Sequence, residues 1–224
     1  MSMELVAESW PRRMVKALPD LIMAGIFLWV WLDPSGWRRQ LVAQGLLIML
    51  LEFILIHSSA FFGMALFAPG WTRGKRLRLL LGLGVFYGLF VTVWSWQFRS
   101  WWPLLFFAWL LGGRLAAVLL NRRAVGELRW RQYGLMALST LLFLLCVPGA
   151  LLLPLPRLGL VHHGHVYGLT GSGEWVSHPH TAIAALVLYF GLLALGKWLA
   201  WDRAIGQLSR AQSAQQGQDG GSQG

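Results

Sequence analysis

Five of the six histidines fall between residues 162 and 180. They read His162-His163-Gly164-His165 and, after a glycine-rich stretch, Glu174-Trp175-Val176-Ser177-His178-Pro179-His180. Neutral imidazole is a ligand for zinc, copper and nickel, and a carboxylate can complete the set. His163 with His165, and His178 with His180, can converge on one ion from extended backbone. If 174–178 forms a helical turn, Glu174 and His178 share a face at i, i+4. His162, His163, His165, Glu174, His178 and His180 are therefore candidate ligands for a divalent transition metal, zinc or copper. The spacing is not the His-Glu-x-x-His of metalloproteases. Glu174 could also act as a base, with the histidines as acids. Two plainer readings stand beside these: a polar loop suited to lipid headgroups, and a loop that responds to pH because histidine titrates near neutrality.

A second set lies inside apolar runs. Glu52, His57 and Arg114 are the chief ionisable residues there. A charge at mid-bilayer costs about 2.5–3.5 kcal/mol on insertion scales, so each needs a partner or a water-filled cavity. Counted from Leu41, Glu52 is about 16 Å along its helix at 1.5 Å per residue, and Arg114 is about as far from Pro103. Equal depth predicts a Glu52–Arg114 ion pair, acting as a structural clamp or as part of an ion or proton relay. His57 follows Glu52 at about 140° around a helix and so faces elsewhere, which suits a hydrogen-bonded interhelical contact. Ser58 and Ser59 can satisfy their hydroxyls on the preceding turn.

The elements that carry these residues are set by composition. Of 224 residues, 56% are hydrophobic and 12% charged, against roughly 25% charged in a soluble domain. Apolar stretches cover 17–32, 41–67, 79–98, 104–121, 133–153 and 181–201. A bilayer core about 30 Å thick needs about 20 apolar residues in a helix. Barrel strands alternate polar and apolar residues, whereas these runs are apolar all round. The expected fold is all-α, a multi-pass transmembrane bundle of about six spans. Residues 1–16 form an N-terminal interfacial segment, with a break at Pro11, or a frayed end. A long loop joins spans five and six near 154–180. Residues 202–224 form a polar tail, disordered from 211 onward for want of apolar groups to bury.

Basic residues orient the bundle. Arg73, Lys75, Arg76 and Arg78 follow span two, and Arg122, Arg123, Arg129 and Arg131 follow span four. Positive loops face the cytoplasm, which places both termini inside and the histidine loop outside. Arg38 and Arg39 run against this pattern. Most of the 14 tryptophans then fall near one membrane boundary or the other, where an indole is buried and its N–H is wet. Gly82, Gly84, Gly88, Gly112 and Gly113 allow close helix approach. Trp31-Leu32-Asp33-Pro34 follows the first apolar run in place of a small-x-small cleavage site, so the first span is read as uncleaved.

In general make-up the chain resembles small multi-pass proteins of bacterial inner membranes. Its most distinctive segments, Glu52-Phe53-Ile54-Leu55-Ile56-His57-Ser58-Ser59 and Gly173–His180, imply no particular activity. The net charge of +10 is accounted for by loop charge, and no basic groove interleaved with aromatics points to nucleic acid. Cys146 is a lone thiol in an apolar run and serves as a small filler. The sequence carries no nucleophile elbow, phosphate loop or Cys-x-x-Cys, and it leaves enzymatic activity open. The first reading is a non-enzymatic binding or assembly module of a bacterial cytoplasmic membrane, surrounded by lipid, with a membrane-protein partner or a second copy. The alternatives are a membrane-embedded metalloprotein or metalloenzyme on the histidine loop, and a small transporter or proton-linked channel using Glu52, His57 and Arg114.

Overall fold

The computed structural model describes residues 10–67, 70–119, 126–169 and 172–201. Among them the regular structure is helical: α1 Trp10–Leu32, α2 Arg38–Phe67, α3 Arg73–Gln97, α4 Trp102–Leu119, α5 Gly126–Leu152, a 3₁₀ turn at Gly164–Tyr167, a short α6 Glu174–Ser177, and α7 Pro179–Trp198. Five helices are long and apolar enough to cross a membrane, and α4 holds a shorter apolar stretch, Trp102–Ala116. In lipid a helix satisfies its own backbone, so apolar runs of this length fold as helices. The tail beyond Trp201 and the residues before Trp10 lie outside the described residues.

The long helices alternate in direction. Asp20 of α1 meets Lys197 of α7 at one end, and Trp31 meets the chain just after α5 at the other, so α1 and α7 are antiparallel. Gly45 of α2 lies against Ile183 and Leu186, and Glu52 against Tyr189, so α2 and α7 run the same way. Gly84 faces Leu111 and Gly88 faces Phe107, which makes α3 and α4 a hairpin. Phe143 of α5 meets Tyr189, and Leu138 meets Gly196. The described ends, Trp10 and Trp201, therefore lie at the same end of the bundle, and the loop between α5 and α7 lies at the other.

α7 is the hub. In its apolar window 72% of residues are buried, against 22% in α1 and in α3. One apolar core joins α1, α2, α5 and α7; a second joins α2, α3 and α4. α2 belongs to both, which fits its near absence of a single apolar face. The close approaches fall at Gly45, where an added Cβ would lie 2.9 Å from Ile183 and 3.0 Å from Phe27, and at Gly84, 2.5 Å from Leu111. Gly82, Gly112 and Gly113, expected to do the same, face open space.

α1 reaches beyond its apolar run. α1 starts at Trp10, seven residues earlier than the apolar run, and continues through Pro11 and Pro19. Trp10–Pro19 runs on beyond Lys197, near the end of α7, and exposes Trp10, Val15 and Leu18. At the other end α1 and α2 are joined by a turn fastened by Asp33, which accepts from the Ser35 backbone at 3.1 Å and pairs with the Arg38 guanidinium. The Ser35 hydrogen bonds, with Arg38 alongside, hold the Asp33 carboxyl below its usual range. Arg38 also lies 4.7 Å from the Trp29 ring, so one of the two basic residues that disagreed with the charge pattern closes a turn.

The loop after α5 is packed, not slack. The Trp31 indole donates to Pro156 O at 3.0 Å, and Gly159 N donates to Trp31 O at 3.0 Å. A Cβ at Gly159 would lie 2.5 Å from Leu32 O and from Pro34 Cδ. Gly159→Ala should therefore cost about 1–3 kcal/mol by overpacking. Thermal unfolding in detergent checks this, with Gly112→Ala, which has nothing within 4 Å, expected to stay near the parent.

Candidate functional site

The intramembrane polar residues are gathered by α7. Lys197 Nζ donates to Asp20 Oδ2 at 2.6 Å, with both side chains largely withdrawn from the surface. Two turns earlier on α7, the Tyr189 hydroxyl donates to Glu52 Oε2 at 3.2 Å. Three helices that are distant in sequence thus meet through paired polar groups. In apolar surroundings an acid and a base together cost far less than either alone.

The Glu52–Arg114 pair expected from depth does not form. Arg114 Nη2 reaches Ser59 Oγ at 3.3 Å, and its guanidinium lies 4.3 Å from the Phe62 ring. The reason is axial. The Trp102 indole donates to Gln44 Oε1 at 2.9 Å, so α4 begins level with the second turn of α2. Twelve residues further along α4, Arg114 stands near the level of Ser59 and past Glu52. His57 is exposed on α2, and its ring packs against Phe53 and Phe61, with Tyr87 of α3 edge-on at 6.0 Å. Glu52, His57 and Arg114 therefore keep separate neighbours. Ser58 and Ser59 do bond back to Leu55 O.

The histidine loop is likewise dispersed. His163 Nδ1 contacts Ser177 O at 3.2 Å, and His165 Nδ1 contacts Leu169 O at 3.0 Å. Glu174 and His178 do meet at i, i+4, with 2.8 Å between Oε1 and Nδ1, though without the alignment of a hydrogen bond. His180 is buried in the first turn of α7, its ring edge-on to His178 at 6.0 Å. His162 is exposed. Among the described residues no three His, Cys, Asp or Glu side chains come together as a metal-binding group. The expectation rested on extended backbone. In its place the chain folds a 3₁₀ turn from Gly164 and starts α7 at Pro179, and both features turn alternate side chains apart.

What the loop does build is a cleft of about 340 Å³, within the usual range for small-molecule sites. One wall is the end of α3, with Trp94, Gln97 and Phe98; the facing wall is the loop, with Leu169, Ser172 and Gly173 to Val176. Leu46 and Leu50 of α2 and Leu151 of α5 complete the apolar lining. Gly164 allows the loop to fold this tightly, since a Cβ there would lie 2.8 Å from Val176 O. Trp94, Phe98 and Trp175 are half-buried, and Glu174 stands exposed. Sequence reasoning placed Glu174 and Trp175 in a functional loop but missed the cleft, because its other wall comes from a helix some 80 residues earlier. It also missed Asp20 as a partner for Lys197; Asp20 inside an apolar run was the available signal.

The fold and site define a helical protein suited to a membrane. Comparison with protein-family models, curated proteins and solved structures finds no match.

The Asp20–Lys197 pair generates a clear expectation. Asp20→Asn or Lys197→Met alone strands a buried charge and should cost about 3 kcal/mol, whereas the double variant should cost much less than the sum. A double-mutant cycle of unfolding in mixed micelles measures the coupling; additive losses would show that the two groups do not interact.

Proposed function

We propose that the chain is a non-enzymatic binding module of a bacterial cytoplasmic membrane, with both termini cytoplasmic and its ligand site at the outer end of the bundle. The observation that carries this reading is the cleft between the end of α3 and the folded loop. Aromatic walls, an apolar floor and a few polar groups at the rim are the make-up of a ligand pocket. The inside-outside assignment is supported by Arg73, Lys75 and Arg76 at the opposite end, beside the start of α3.

The test fills the cleft. Leu50 lines it and is half-buried, so Leu50→Trp occupies the space without breaking the centre of the core. An uncharged alkyl photolabel should mark peptides from 91–98 and 169–177 in the parent protein and lose most of that labelling in Leu50→Trp, with unchanged labelling of α4. Equal cleft labelling in both proteins would refute a site there.

A second reading is favoured by the polar groups on α7. Proton-linked transport would run through Glu52 with Tyr189, Lys197 and Asp20 as its neighbours, replacing the His57 and Arg114 route. It predicts that Glu52→Gln abolishes substrate-driven proton movement in proteoliposomes, and flux that survives this change would end it.

A further inference from the structure

The lining of the cleft differs in charge from the chain as a whole. The protein carries 19 basic and 9 acidic residues, yet among the described lining residues the sole charged side chain is Glu174. The same cleft is lined by Trp175, Trp94 and Phe98. A carboxylate beside aromatic faces attracts a cation twice, by charge and by the ring quadrupoles. Gln97 adds a neutral polar group at the same rim. The floor is different in kind. Leu46 and Leu50 lie about 12 and 18 Å along α2 from Arg38, at 1.5 Å per residue, so the lining grows apolar as it descends from the loop.

Resting on the reading of the cleft as a ligand site, we propose that its occupant is a single-chain amphiphile with an ammonium head. The head lies between Glu174 and the rings of Trp175 and Trp94, and the alkyl chain runs down against Leu46, Leu50 and Leu151. His178, whose Nδ1 is 2.8 Å from Glu174 Oε1, is the resident partner that the ammonium head displaces from the carboxylate.

The test uses three photolabels with the same alkyl chain and different heads: trimethylammonium, sulfate and maltoside. Each is photolysed with the full-length protein in maltoside micelles, and labelling of peptides from 91–98 and 169–177 is normalised to that of α4. The trimethylammonium label should mark the cleft about fivefold more strongly than the maltoside label, the ratio expected for a cation–aromatic contact of about 1 kcal/mol. The sulfate label should mark it least. Glu174→Gln, at an exposed position, should remove the preference for the cation while leaving the maltoside labelling as it was. Equal cleft labelling by all three heads, or a preference for sulfate, would overturn the ammonium assignment and leave the binding site standing. Cleft labelling no stronger than that of α4 with every head would overturn the site as well.

Discussion

An unpaired charge in lipid is the constraint on which this architecture turns. Asp20, Lys197 and Glu52 all lie in helices with long apolar stretches. Each could be carried across a bilayer alone only at a cost of a few kcal/mol. Pairing Asp20 with Lys197, and giving Glu52 the Tyr189 hydroxyl, removes most of that cost and fixes the register of α1 and α2 against α7. Apolar packing cannot do this by itself, since lipid tails are as apolar as leucine and confer little preference for one helix neighbour over another. Gly45, tight against Phe27 and Ile183, then lets the three helices close above the polar pairs.

The loop end of the bundle follows from that register. With α1 held against α7, the end of α1 presents the Trp31 indole and carbonyl to the chain leaving α5. Gly159 is seated there because no side chain fits. The loop is thereby led back across α2, where the 3₁₀ turn and α6 pack together through Gly164 and Val176. Its free edge faces Trp94 and Phe98 and leaves the cleft. The path from an ion pair at one end to the cleft at the other is thus made of helices and one tightly strapped loop.

Class was legible in the sequence because it depends on composition and run length, and those are local. The alternating helix directions follow from short connections, as at the turn where Arg99 takes φ 49° as α3 ends. Pairing was not legible. Depth counting assumed that each helix begins at the membrane surface, whereas Trp102 docks on Gln44 and sets α4 deeper than α2. The histidine spacing suggested convergence only for extended backbone, and a 3₁₀ turn does not provide it. Lys197 near the end of α7 looks exposed in sequence until Asp20 of α1 is placed beside it. Each miss concerns the relative height or rotation of two elements, which no single run of residues encodes.

The central claim is that lipid surrounds the helices, with the loop end of the bundle outside and the α2–α3 end inside. Cysteine labelling in intact cells tests it most directly. With Cys146 replaced by alanine, single cysteines are placed at Ser177 in the loop and at Arg73 at the start of α3. A membrane-impermeant maleimide should modify position 177 in intact cells and position 73 only after permeabilisation. The reverse pattern, or equal modification of both sites before permeabilisation, would contradict the account.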